Sequence, residues 1–126
     1  MNIVIWVIQL GLAVVFLLAG ATKAFQPMVE LNAQVPWTVG TPGWVPRLAG
    51  YSELAGALGL VLPSVLRIRP GLTPLAAAGL GLVMVLAAIF HLMRGEMQMI
   101  PVNLVLLVVS GFVYYGRSKL HPIQPR

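Results

Sequence analysis

Apolar residues in this chain do not alternate with polar ones. They run in four long blocks, from Ile3 to Ala21, Leu48 to Leu66, Leu72 to Met93 and about Met97 to Tyr115. Each block approaches the ~20 residues that a helix needs to cross the hydrocarbon layer of a bilayer. None shows the strict alternation of a barrel strand. A helix satisfies its own backbone polar groups in lipid, so helices are predicted at about residues 3–23, 47–66, 72–93 and 98–116. The first block has no Lys or Arg ahead of its apolar core, which argues for a retained helix and not a cleaved signal peptide. The predicted fold is all-α: one integral membrane four-helix bundle spanning residues 1–126.

Proline and glycine mark the limits. Pro46 suits the first turn of the second helix, and Pro63 falls near its end. Pro70-Gly71 breaks the chain before the third helix, and Gly95 and Pro101 bracket the turn into the fourth. The connection from residue 24 to 46 is long and carries Pro27, Pro36, Pro42 and Pro46 with Trp37 and Trp44. Connections of this length are often functional, and tryptophans also anchor chains at headgroup level. A lid over a site and an interfacial anchor both fit.

Small and polar residues recur at helical spacing inside each block. The stripes are Gln9, Ala13, Phe16, Gly20 and Lys23 in the first helix, and Ala49, Ser52, Glu53, Gly56, Gly59 and Pro63 in the second. The third has Ala77, Gly81, Met84, Ala88 and His91; the fourth has Asn103, Leu107, Ser110 and Tyr114. Small residues allow close approach of helix backbones, so these stripes are expected to face one another. Ser52/Gly56, Ala55/Gly59 and Ala77/Gly81 have small-xxx-small spacing. By depth, Lys23, Glu53, His91 and Asn103 fall at one level, beneath the tryptophan-bearing loop. Gln9 and Ser110 lie toward the opposite end.

Ionisable groups inside a membrane are costly and mark sites or pathways. Glu53 is the centre of this level. Paired with Lys23 or Arg47 it stays ionised; unpaired, it takes up a proton and can carry it. His91 belongs to the residue type that titrates near neutral pH. Glu53 and His91 are therefore the candidate catalytic residues. Lys23, Arg47, Asn103, Trp37 and Trp44 are the candidate ligand-binding residues. The same side chains have structural readings: a buried ion pair for Glu53, snorkelling to the headgroups for Lys23, an interfacial hydrogen bond for His91, and interhelical glue or a helix cap for Asn103.

Composition supports the membrane reading. Of 126 residues, 59% are hydrophobic and 9% charged, and mean hydropathy is +0.91, more apolar surface than a soluble domain of this size can bury. Cysteine is absent, which removes disulfides and thiolate chemistry. The net charge of +5 sits at the ends of apolar runs instead of forming a stripe, which argues against nucleic acid. No metal or haem site is evident, because His91 and His121 fall on opposite sides. No nucleophile elbow or phosphate loop appears. Arg67, Arg69, Arg117, Lys119 and Arg126 fall on the side of the termini, and Lys23, Arg47 and Arg94, diluted by Glu30 and Glu96, on the other. The bias of Lys and Arg toward the cytoplasm then predicts an N-in, C-in topology with the long loop outside.

Three segments carry a family resemblance. They are Ala19-Gly20-x-x-Lys23, then Arg47-x-x-Gly50-x-x-Glu53-x-x-Gly56-Ala57-x-Gly59-Leu60-x-Leu62-Pro63, and Ala88-x-x-His91-x-x-Arg94-Gly95-Glu96. Together with length and spacing, the chain resembles the DoxX-like family of small four-helix membrane proteins. The resemblance implies a multi-pass protein of a prokaryotic inner (cytoplasmic) membrane. It also implies a link to quinone-dependent redox systems, and it includes Lys23, Arg47, Glu53 and His91 in the family's recurring pattern.

Three function classes follow. The first is an enzyme, or a subunit of one, that binds a quinone or other lipophilic small molecule in the outer half of the bundle. The second is a non-catalytic assembly subunit of a membrane complex. The third is a small multidrug-type proton-coupled exporter, though such exporters carry their glutamate in the first helix, where this chain offers Gln9. The lipid bilayer is the first partner; a membrane protein partner and a homodimer both remain open.

Overall fold

A computed structural model describes residues 2–125 of the chain; Arg126, counted above with the basic tail, lies outside the described residues. Four helices are long and apolar enough to cross a membrane. Among the described residues these are α1 (Asn2–Phe25), α3 (Trp44–Leu66), α4 (Leu72–Met93) and the helical run Met97–Leu120, whose α-helical part is α5 (Ile100–Tyr115). A short helix, α2 (Met28–Gln34), and a 3-10 turn at Pro36–Thr38 lie between α1 and α3. The chain is a multi-pass, all-helical membrane protein, and no strand occurs among the described residues.

The limits shift where local chemistry allows it. Helix α3 begins at Trp44, ahead of the predicted residue 47. Pro46 still lies in the first turn, where backbone N–H groups lack intrahelical acceptors and proline's missing donor costs nothing. A 3-10 turn, Met97–Met99, precedes α5, and Pro101 lies in that helix's first turn. Beyond Tyr115 the winding loosens into a π-type turn over Gly116–Leu120.

Neighbouring helices pack in the order α1, α3, α4, α5, and a narrower α5–α1 seam closes the bundle. Leu12, Phe16, Leu60, Leu80, Met84 and Val113 fill the centre. Most other Leu, Val and Ile side chains are exposed on the outside, where lipid is the solvent.

The closest approach is between α1 and α3. A Cβ added at Gly50 would stand 2.6 Å from the Ala24 nitrogen and 2.7 Å from the Gly20 carbonyl oxygen. One added at Gly20 would stand 2.8 Å from the Gly50 carbonyl oxygen. Backbone meets backbone here, so no side-chain rotation relieves a methyl group. On its other side α3 meets α4 through Gly56 against Leu80 and Gly59 against Ala76. The predicted single stripe of α3 is therefore two faces. Gly50, Glu53, Ala57, Leu60 and Ser64 are its buried residues, whereas Ser52, Gly56 and Gly59 are half-buried. On α5 the buried residues are Asn103, Ser110 and Val113. Tyr114, placed on the inward stripe by spacing, is exposed.

Gly50→Ala is expected to destabilise the fold by about 1–3 kcal/mol through backbone overpacking. Gly79→Ala, where nothing lies within 4 Å of the added Cβ, should be neutral or stabilising. Thermal unfolding in detergent of the two variants beside the parent protein tests this; equal melting points would show that the crossing has slack.

Candidate functional site

Under the α1–α3 connection lies a cavity of about 620 Å³. Its wall is mostly apolar side chains from all four long helices, and it includes Lys23, Glu53, His91 and Asn103 with Trp37 and Trp44. Six of the seven residues singled out from sequence thus meet around one space. Arg47 is the exception: its Nη1 donates to the Lys23 carbonyl oxygen at 3.1 Å, so it ties the end of α1 to the start of α3.

Lys23 and Glu53 form an ion pair, Nζ to Oε1 at 2.6 Å, with the glutamate side chain only 2% exposed. The glycine crossing makes this possible, because Lys23 packs against Gly50 and Glu53 against Gly20 where the two helices touch. Lys23 is therefore turned inward to the carboxylate, not outward to the headgroups. Glu53 Oε2 is buried without a hydrogen-bond partner, as is Asn103 Nδ2 on α5. In an apolar surrounding, unpaired polar atoms cost free energy and call for an explanation.

His91 is buried, with Nδ1 at 3.0 Å from Glu96 Oε1. A carboxylate only accepts, so Nδ1 carries the proton in this contact. The imidazole also meets Trp37 and Phe90 edge to face, at centroid separations of 5.4 and 5.5 Å. Arg94 holds the other side of this turn. It donates to Glu96 Oε1 at 3.1 Å, to Thr41 Oγ1 at 2.8 Å and to the Trp37 and Val39 carbonyls at 3.2 and 3.3 Å. The Gly95 turn, with φ of 74°, folds Glu96 back beneath both partners. Trp37 is thereby clipped over the cavity, whereas Trp44 lines the cavity and is also largely exposed.

A second polar cluster lies at the opposite end, and sequence reasoning missed its centre. Arg117, sorted above with the charges of the tail, is 3% exposed. Its Nε donates to Gln9 Oε1 at 2.7 Å, and its Nη1 to Asn2 Oδ1 at 2.7 Å and to the His121 carbonyl at 2.9 Å. Its guanidinium stacks over Trp6 at 4.8 Å. Gln9 also donates to the Leu60 carbonyl and to Ser64 Oγ, and Ser64 bonds Thr73 at 2.7 Å. Pro63 removes one ladder donor from this turn of α3, and Gln9 supplies a side-chain donor to it. The signal was available: Ser110, Val113 and Arg117 follow three-and-four spacing, so the stripe continues into the tail. Among the described residues no cluster of three or more His, Asp or Glu is placed to hold a metal ion.

Four spans around an apolar cavity with the Lys23–Glu53 ion pair at its edge define a small membrane bundle with a candidate internal site. The sequence profile of the DoxX-like family matches residues 7–113, and the chain belongs to that family. No curated protein and no solved structure is significantly similar to it.

Lys23→Met leaves the Glu53 carboxylate without its cation and is expected to cost about 3–5 kcal/mol. The double variant with Glu53→Gln should recover much of that loss. A double-mutant cycle on unfolding in detergent measures the coupling, and a coupling near zero would show that the pair contributes nothing. Arg94→Ala should free the loop: amide hydrogen exchange over residues 36–42 is expected to quicken by about tenfold, with little change in the middle of α1.

Proposed function

We propose that this protein binds a lipophilic small molecule with a polar head, of the quinone type, in the cavity beneath the α1–α3 connection. Its place would be a redox-linked system of a prokaryotic inner membrane. The observation that carries the reading is the pair of buried, unpaired polar atoms, Glu53 Oε2 on α3 and Asn103 Nδ2 on α5, contributed by two walls of one apolar cavity. A head group that accepts from Asn103 and donates to Glu53, as a hydroxyl of the reduced quinol can and the oxidised quinone cannot, would satisfy both and offset their desolvation. His91, with Nδ1 held by Glu96, keeps its remaining ring nitrogen for the same head. Lys23 holds the Glu53 carboxyl in place, and Trp37 is the lid. Glu53 and His91 contact the ligand directly; Arg47 acts through Lys23.

The orientation that goes with this reading has both chain ends in the cytoplasm. Arg67, Arg69, Arg117 and Lys119 lie at the end of the bundle where the N-terminus of α1 meets the C-terminal segment. At the other end, Lys23, Arg47 and Arg94 are offset by Glu30, Glu53 and Glu96. An excess of Lys and Arg marks the cytoplasmic side.

Titration of the detergent-purified protein with decylubiquinone, in oxidised and reduced form, tests the proposal through quenching of tryptophan fluorescence. Trp37 and Trp44 line the cavity, while Trp6 lies at the far end. Saturable quenching is expected, weakened by about tenfold in Glu53→Gln with helicity unchanged. Equal quenching of the parent and the variant would remove Glu53 from the site, and absence of saturable quenching would remove the reading.

A further inference from the structure

The far end of the bundle holds a guanidinium that meets no carboxylate among the described residues. Every group bonded to Arg117, from Gln9, Asn2 and His121, is a neutral dipole, and Arg117 Nη2 is buried without any partner. The chain has only three carboxylate side chains. Glu53 is paired with Lys23 and Glu96 with His91 and Arg94, and Glu30 lies in α2 on the same side of the bundle. A buried cation without a nearby anion is expensive, so compensating negative charge is expected from beyond the described residues.

A place for it adjoins Arg117. A pocket of about 520 Å³ is lined by Asn2, Trp6 and His121, which are three of Arg117's own neighbours, together with Ser64 and Arg67. Arg67 uses only Nε, donating to the Gln124 carbonyl at 2.8 Å, and its terminal nitrogens have no protein partner among the described residues. Arg67 ends α3 with φ of 56°, a backbone conformation that favours glycine. The turn itself does not call for an arginine there, and the side chain borders the pocket.

We infer that this pocket binds a phosphate group, supplied by an anionic phospholipid at the headgroup layer. A guanidinium matches phosphate in geometry as well as charge, and basic pockets at helix ends suit anionic headgroups. Val65 and Ile123 on the pocket's rim suit the start of the acyl chains. No acidic side chain lines the pocket, so a choline or ethanolamine head finds no anion to meet.

Residues 67 and 69 provide a matched test. Arg67 and Arg69 both have positive φ, 56° and 49°, so glycine suits either backbone, yet only Arg67 lines the pocket. Delipidated protein in detergent is titrated with dioleoylphosphatidylglycerol, dioleoylphosphatidylcholine or inorganic phosphate, and binding is read by native mass spectrometry and by the shift in melting temperature. The expected result is binding of phosphatidylglycerol in preference to phosphatidylcholine, weakened about tenfold by Arg67→Gly and less than about twofold by Arg69→Gly. Equal loss in the two variants would reduce the effect to general surface charge and overturn the site. So would equal binding of the two lipids, or no binding at all. Inorganic phosphate reproducing the full melting shift would retain the phosphate site and overturn its assignment to lipid.

Discussion

The missing side chains at Gly20 and Gly50 set the geometry on which the rest depends. They let the backbones of α1 and α3 touch, closer than any larger residue allows. At that crossing Lys23 lies against Gly50 and Glu53 against Gly20, and the close approach lets Lys23 Nζ come within 2.6 Å of Glu53. With the helices held apart by even one methyl group, the lysine would be freed toward the headgroups and the carboxylate left alone in hydrocarbon. The ion pair is thus a consequence of packing as much as of charge. In lipid, where there is no hydrophobic drive between helices, close packing of small residues is the main source of such precision.

The two ends of the bundle solve the same problem by different means. At the loop end, charges are closed among themselves: lysine to glutamate, and histidine and arginine sharing a second glutamate. At the other end, a guanidinium is held by amides, carbonyls and an indole. The first arrangement fixes a loop and borders a cavity. The second knits the N-terminus, the middle of the bundle and the C-terminal turn together through Gln9. Between them the interior is apolar, so each cluster keeps its own register without competing for the other's partners.

The four spans were legible because length and uniform apolarity are one-dimensional properties, and the level shared by Lys23, Glu53, His91 and Asn103 followed from counting residues. Pairings between helices were not legible in the same way. Gly20 begins a small-xxx-small pair with Ala24, but Gly50 belongs to none; the two glycines matter because they meet. On α3, spacing alone merged two faces into one, because this helix has a neighbour on each side: Gly50 and Glu53 serve α1, while Gly56 and Gly59 serve α4. Arg47 was grouped with the site by charge, yet its contact is with a backbone carbonyl. Arg117 was grouped with the tail because arginine near a helix end is so often an orientation signal. The three-and-four spacing from Ser110 through Val113 carries the stripe on to Arg117, and the path of the last turn folds it inward.

The cavity's outline carries one more implication. Val15, Leu18, Leu86 and Val102 line it and are also exposed on the outer surface of the bundle. That surface faces acyl chains, not water. Whatever occupies the space must therefore displace hydrocarbon tails, and the usual reward for leaving water does not apply. Shape and hydrogen bonds must do the selecting. Occupancy follows the mole fraction of the occupant among the surrounding lipids, so the composition of the membrane itself becomes the concentration variable.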